Sequence, residues 1–229
     1  MPSTQSSAKG PDGYPRKVNP RTLDHVALWV ADRRLMTEVA VERLGVRVIE
    51  QTDRFTLLGA DARRGKLTLF DAEGPRERGP LARIGLRVSS LDGRDATVDL
   101  GEGLEIVLVE AETDSELDLD HVALLSADPA AAVDRWQALG FAPAGEGRVE
   151  VGGAYLELLA GDPGSPERPL LNHIGVLVDS VEEHRADAED LGIEIDDLVD
   201  APNTIALFVW GPDRVKLEYI EHKPSFSLT

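Results

Sequence analysis

Four side chains in the second half of the chain have the types and spacing of a metal site: His121, Glu157, His173 and Glu218. Each sits at a repeat-equivalent position. The hexapeptide Leu-Asp-His-Val-Ala-Leu occurs at 23–28 and again at 119–124. Weaker echoes stand at 81–86 (Leu-Ala-Arg-Ile-Gly-Leu) and 171–176 (Leu-Asn-His-Ile-Gly-Val). A unit recurring at this scale marks a repeated structural module. His121 and His173 fall at the same place in the third and fourth copies. Tyr155-Leu-Glu-Leu-Leu159 matches Lys216-Leu-Glu-Tyr-Ile220, which makes Glu157 and Glu218 equivalent on the last strand of each module. Two imidazoles and two carboxylates facing one cavity suit one divalent transition metal: Fe, Mn, Ni, Co or Zn. Calcium and magnesium prefer shells made of oxygen alone. The corresponding positions of the first two modules hold His25, Thr68, Arg83 and Val107. One imidazole beside an arginine does not hold a divalent ion. His25 is therefore expected to be a packed strand histidine in a degenerate N-terminal site.

The elements that must position these groups follow from local pattern. In the third module, alternation over 120–125 predicts a half-buried strand. Asp128 before Pro129 predicts a capped helix over 130–139, stopped at Gly140. Strands at 148–151 and 154–159 flank Gly152-Gly153 as a hairpin. The fourth module repeats the order: a strand at 173–178, a helix capped by Ser180 with Glu183 completing a capping box, then strands at 193–198, 204–210 and 215–221. The first has its helix between Asp32 and Leu44-Gly45, with strands at 47–51, 55–60 and 66–71. The second, 81–111, reads as truncated: its segment 89–100 is too short for a full helix plus strands, and 104–110 supplies a final strand. The fold class is α+β, with four tandem βαβββ modules. A single module leaves one apolar sheet face open, so the modules pair into two domains, each a curled mixed sheet around a cavity. The pairs are taken as neighbours in sequence. A disordered tail occupies 1–20, an N-terminal unit 21–113, and a C-terminal unit with the metal site 118–223.

Composition bounds the partners. A net charge of −18 repels nucleic acid and anionic lipid, so neither is expected. The absence of cysteine excludes disulfides and thiolate metal sites. The first twenty residues have no apolar run, so neither a signal peptide nor a span is read there and a cytoplasmic protein is expected. The expected partner is a small molecule. A homo-oligomer is compatible with this reading.

The modular pattern and the four ligand positions resemble the vicinal oxygen chelate superfamily over about residues 22 to 223. That superfamily includes glyoxalase I, methylmalonyl-CoA epimerase, fosfomycin and bleomycin resistance proteins and type I extradiol dioxygenases. The resemblance implies a metal-bound substrate with vicinal oxygens. Four protein ligands on an octahedral ion leave two positions, which favours glyoxalase-like or epimerase-like proton abstraction next to a carbonyl, with Glu157 or Glu218 loosening to act as base. The alternative is a ring-cleaving dioxygenase built on His121, His173 and Glu218. Against it stand Glu157, which crowds a third open position, and two gaps: no histidine around 167–171 and no tyrosine about ten residues before Glu218. A third reading is non-catalytic binding of an antibiotic, although such relatives typically lack the ligands. Among the remaining residues, His184 is expected at the surface and His222 at a frayed strand end, with a place behind the metal ligands, on the strand face of Glu218, as its alternative. Trp29, Trp136 and Phe141 are expected in the core, and Tyr155 and Trp210 on the pocket wall. The loops at 161–169 and 199–203 are expected to shape the pocket.

Overall fold

A computed structural model describes residues 19–61, 65–113 and 115–226. Most of the tail expected at 1–20 lies outside the described residues, and Pro20 is buried. The first module contains β1 (Thr22–Val30), α1 (Arg33–Leu44), β2 (Arg47–Gln51), β3 (Phe55–Gly59) and β4 (Lys66–Asp71). The second has only strands: β5 (Leu81–Val88), β6 (Thr97–Asp99) and β7 (Glu105–Glu110). The third runs β8 (Asp118–Ser126), α2 (Pro129–Ala138), β9 (Ala142–Pro143), β10 (Arg148–Val151) and β11 (Ala154–Ala160). The fourth runs β12 (Leu171–Leu177), α3 (Val181–Asp190), β13 (Ile195–Asp200), β14 (Thr204–Trp210) and β15 (Lys216–His222). Each helix starts at the predicted cap: Asp32 accepts from the Leu35 N–H, Asp128 from that of Ala131 and Ser180 from that of Glu183.

The strands form two mixed sheets, and their membership corrects the expected pairing. The eight-stranded sheet runs β13-β14-β15-β12-β1-β4-β3-β2, joining the fourth module to the first. The seven-stranded sheet runs β6-β7-β5-β8-β11-β10-β9, joining the second to the third. The units drawn at 21–113 and 118–223 therefore each give strands to both sheets. The physical reason is that β1, β5, β8 and β12 carry the same pattern, and either pairing buries the same faces. The two linkers that cross between the sheets run side by side: the Leu170 N–H donates to the Glu77 carbonyl at 2.7 Å.

One buried apolar cluster spans both sheets. Helix α1 covers the outer face at β2–β4 with Met36, Ala40 and Leu44, and α3 covers β14 and β15. Helix α2 covers β9–β11 of the other sheet and buries Trp136. Phe141 is buried with Trp136, as expected, whereas Trp29 is only partly buried, its ring tilted against that of Phe70 at 5.3 Å. His184 departs from its expected surface position. It lies on the buried stripe of α3 with Val181 and Ala188, its ring 4.6 Å from that of Tyr219. Among the described residues, no helix is long and apolar enough to cross a membrane.

Candidate metal centre

At the middle of the eight-stranded sheet, β1 and β12 run antiparallel, and each carries a β-bulge beside a histidine. Leu23 pairs with Val176 and His25 with Gly175, which leaves Asp24 as the extra residue. Ala27 pairs with His173 and Leu28 with Leu171, which leaves Asn172 as the extra residue. A bulge re-aims a side chain that strict alternation would send to the far face. Here it brings each extra residue against the histidine that follows. The His25 Nδ1 is 2.8 Å from Asp24 Oδ1, and the His173 Nδ1 is 3.0 Å from Asn172 Oδ1. Both partners are acceptors, so each Nδ1 carries the hydrogen and each Nε2 presents a lone pair.

Those two nitrogens converge with a third acceptor. Glu218 on β15 pairs in register with Gly175, which places its carboxylate beside both imidazoles. The edges of the triangle are 2.9 Å from His25 Nε2 to His173 Nε2, 2.9 Å from His25 Nε2 to Glu218 Oε2, and 3.0 Å from His173 Nε2 to Glu218 Oε2. Two ligands at right angles and about 2.1 Å from a shared ion stand about 3.0 Å apart. All three side chains are buried. Three acceptors meeting at one buried point call for a cation, so this donor set fits a divalent metal.

The charges bear this out. Burial opposes protonation of His25, but the Glu218 and Asp24 carboxylates outweigh it and raise its pKa to about 9. Burial likewise opposes ionisation of Glu218, but His173 and His25 hold its carboxyl well below the usual range. Burial and the neighbouring His25 push His173 down despite Glu218. In the metal-free protein, then, a proton on His25 stands where the ion would be. The folded pKa is raised above the unfolded value, so this proton stabilises the metal-free fold fully below about pH 6.5, and the effect is lost as pH rises through about 9. An incoming ion must displace that proton. Its apparent affinity should therefore rise about tenfold per pH unit up to about pH 9, read by competition with a chromophoric chelator. A flat response between pH 6 and 9 would contradict a displaceable proton on His25.

Gly175 is required by close approach. A Cβ at this position would lie 2.3 Å from His25 Cε1 and 2.5 Å from its Nδ1. Gly175→Ala should push the His25 ring out of place and weaken metal binding by about 10–100-fold, as loss of an orienting contact does. Gly85, which lies under His121 at the same 2.3 Å, is the control. Isothermal titration should find Gly85→Ala altered in stability and unaltered in metal affinity.

The structure separates the four residues proposed from sequence. His173 and Glu218 converge as described. His121 and Glu157 lie on the seven-stranded sheet, because β8 pairs with β5 and β11, not with β12. The register there mirrors the first sheet: His121 opposes Gly85, Arg83 takes the place of His173, and Val107 that of Glu218. The His121 Nδ1 is likewise held by Asp120, at 2.8 Å. Glu157 is ion-paired to Arg83 and, at 2.7 Å, to Arg148. Arginine charge thus neutralises the carboxylate that was read as a ligand. The residue missed from sequence is His25, and Thr68 holds the fourth place in its sheet, in register with Ala27. The available signal was the identity of the two hexapeptides, which gave His25 the same standing as His121.

Above the triad opens a cavity of about 500 Å³, lined by residues from all eight strands of the sheet. Phe55, Phe70, Phe208 and Ile220 give it apolar walls, and Phe70 and Phe208 pack their rings 6.3 and 5.2 Å from that of His173. The loop at 199–203 lines it, as expected from sequence, whereas 161–169 does not. Trp210 is outside this lining, and Tyr155 stacks on His121 in the other sheet at 5.0 Å. His222 lies on the cavity wall, two strand repeats beyond Glu218.

No family model matches the sequence, and no curated protein matches it. In three dimensions the chain is similar to a provisionally assigned dioxygenase from Bacillus subtilis, with a TM-score of 0.70 and 15% identity over 90% of this chain and 86% of that one. It is also similar to glyoxalase I from Zea mays, with a TM-score of 0.63 and 15% identity over 89% and 93%. The cppA protein of Streptococcus pneumoniae gives a TM-score of 0.59 and 15% identity over 90% and 100%. Identities this low establish the fold and leave the activity to be argued from the site.

Proposed function

We propose that this chain, which has the vicinal oxygen chelate fold, is a metal-dependent dioxygenase that takes an aromatic vicinal diol into the cavity over His25, His173 and Glu218. The observation that carries the reading is the count of ligands. Two imidazoles and one carboxylate converge, and the fourth place holds Thr68, a neutral hydroxyl. Three protein ligands on a six-coordinate ion leave three positions, enough for both oxygens of a diol and for dioxygen. Two histidines and one carboxylate on one face are the usual set of non-haem Fe(II) oxygenases. When bound, such an ion supplies Lewis acidity to the diol and redox chemistry to dioxygen.

The chain's own residues do the rest. Asp24 and Asn172 fix the imidazoles by their Nδ1 atoms, and Lys66, 2.9 Å from Asp24, balances the carboxylate's charge. Phe55, Phe70 and Phe208 offer flat apolar surfaces to an aromatic ring and exclude water from the triad. The isomerase reading rested on a fourth ligand, Glu157, which two arginines hold in the other sheet.

Metal analysis of protein purified without chelator, followed by oxygen-electrode assays with catechols on the Fe(II)-loaded chain, tests the proposal. Oxygen uptake matched by ring-cleaved product, and lost in His173→Ala, is the expected result. Turnover of a methylglyoxal–glutathione hemithioacetal without oxygen uptake would return the reading to an isomerase. Binding of the same molecules with no ion required would return it to a sequestering protein.

A further inference from the structure

Chelation of a diol through both oxygens releases protons, and they need an acceptor close to the triad. The groups on the cavity wall are few. Arg54 is permanently charged, Lys66 is held by Asp24, and His25, His173 and Glu218 are turned on one another. His222 is different. It closes β15, on the same face as Glu218 and Ile220, and lines the same cavity. Its Nε2 is buried and has no hydrogen-bond partner. The Asp24 Oδ2 carboxylate oxygen stands 4.0 Å away, too far for a hydrogen bond. The other side of the ring is covered by Phe226, stacked at 3.7 Å and 6°. A buried polar atom without a partner needs a reason, and a group that meets its partner only when substrate binds is one.

We propose that His222 is the proton acceptor for the bound diol, reached directly or through one water. This rests on the diol-binding reading of the triad. In the step, a substrate O–H bond breaks, the proton passes to His222 Nε2, and the oxygen keeps the electron pair. No electron is gained or lost overall. The imidazolium so formed faces the Asp24 carboxylate, and Asp24 also contacts His25, tying the acceptor to the triad. The charged groups around it are Asp24, Lys66, His25 and Glu218, with Glu50 and Arg54 also on the cavity lining. Burial lowers the basicity of His222 against the pull of Asp24, so the ring is neutral and ready to accept at neutral pH.

The probe is 4-nitrocatechol, whose visible spectrum reports its ionisation, bound without oxygen to the Zn(II)-loaded full chain. In wild type the bound probe should ionise well below its free midpoint. His222→Gln should still bind it, with the midpoint moved up by about one pH unit or more. Phe226→Leu keeps the imidazole and should keep the wild-type midpoint. Nitrogen-15 shifts of the histidine rings in wild type give a measurement that needs no variant: His222 should become imidazolium as the probe is added near neutral pH. An unchanged midpoint in His222→Gln, an equal shift in Phe226→Leu, or a His222 ring that stays neutral overturns the inference and leaves the metal site standing. Failure of the metal-loaded wild type to bind the probe overturns both.

Discussion

His25→Ala is expected to abolish stoichiometric metal binding, and His121→Ala to leave it intact. The two histidines share a hexapeptide, a strand position, a preceding aspartate and burial, so local sequence predicts one outcome for both. They differ in what stands opposite. His25 faces a second imidazole and a carboxylate at 2.9 Å each, whereas the positions equivalent to those partners in the sheet of His121 hold Arg83 and Val107. Loss of an orienting contact weakens a metal site by about 10–100-fold, and loss of one of three direct ligands should exceed that. Metal content after gel filtration, with circular dichroism to verify folding, measures both. Retention of one ion per chain in folded His25→Ala would remove the triad from consideration.

A chain carrying Arg83→His together with Val107→Glu is expected to bind two ions. These positions match those of His173 and Glu218, on a sheet that already has the bulge, the aspartate–histidine pair and the glycine under the ring. The arginine now lends its positive charge to Glu157, and replacing it frees that carboxylate from one of its two partners. Arg83→Ala removes the cation without supplying a donor and should still give one ion per chain. Metal analysis of the three proteins decides the matter, and a single equivalent in the folded double variant would mean that the two sheets are not equivalent in detail.

The features legible in the sequence were those set by neighbouring residues. Strands β2, β4 and β14 lie at their predicted positions, all three helices begin at their predicted caps, and the second module lacks a helix because 89–100 is too short for a full helix together with its strands. The equivalence of ligand positions was legible too, since it follows from the repeat. The choice of partner was not. The strands β1 and β8 continue as Val-Ala-Leu after their histidines, and β5 and β12 have Ile-Gly, which leaves room for a ring from across the sheet. That complementarity is met by pairing the first module with the second or with the fourth. Only the path of the crossing linkers distinguishes them, and their composition does not reveal it. His184 was misread for a related reason: its charged neighbours point to solvent, but its own turn of α3 packs on β15.

The triad joins β1 to β12 and β15, with His25 and His173 separated by 148 positions. On the ribosome this orders events. The second and third modules are neighbours and can form their sheet as soon as β11 emerges. Strand β1, already made, must wait for β12 and β15, its hydrogen-bonding edge open to strands of other nascent chains. Release from that interval comes only once β15 has emerged, so a chain able to capture an ion is also one whose translation has run through that strand.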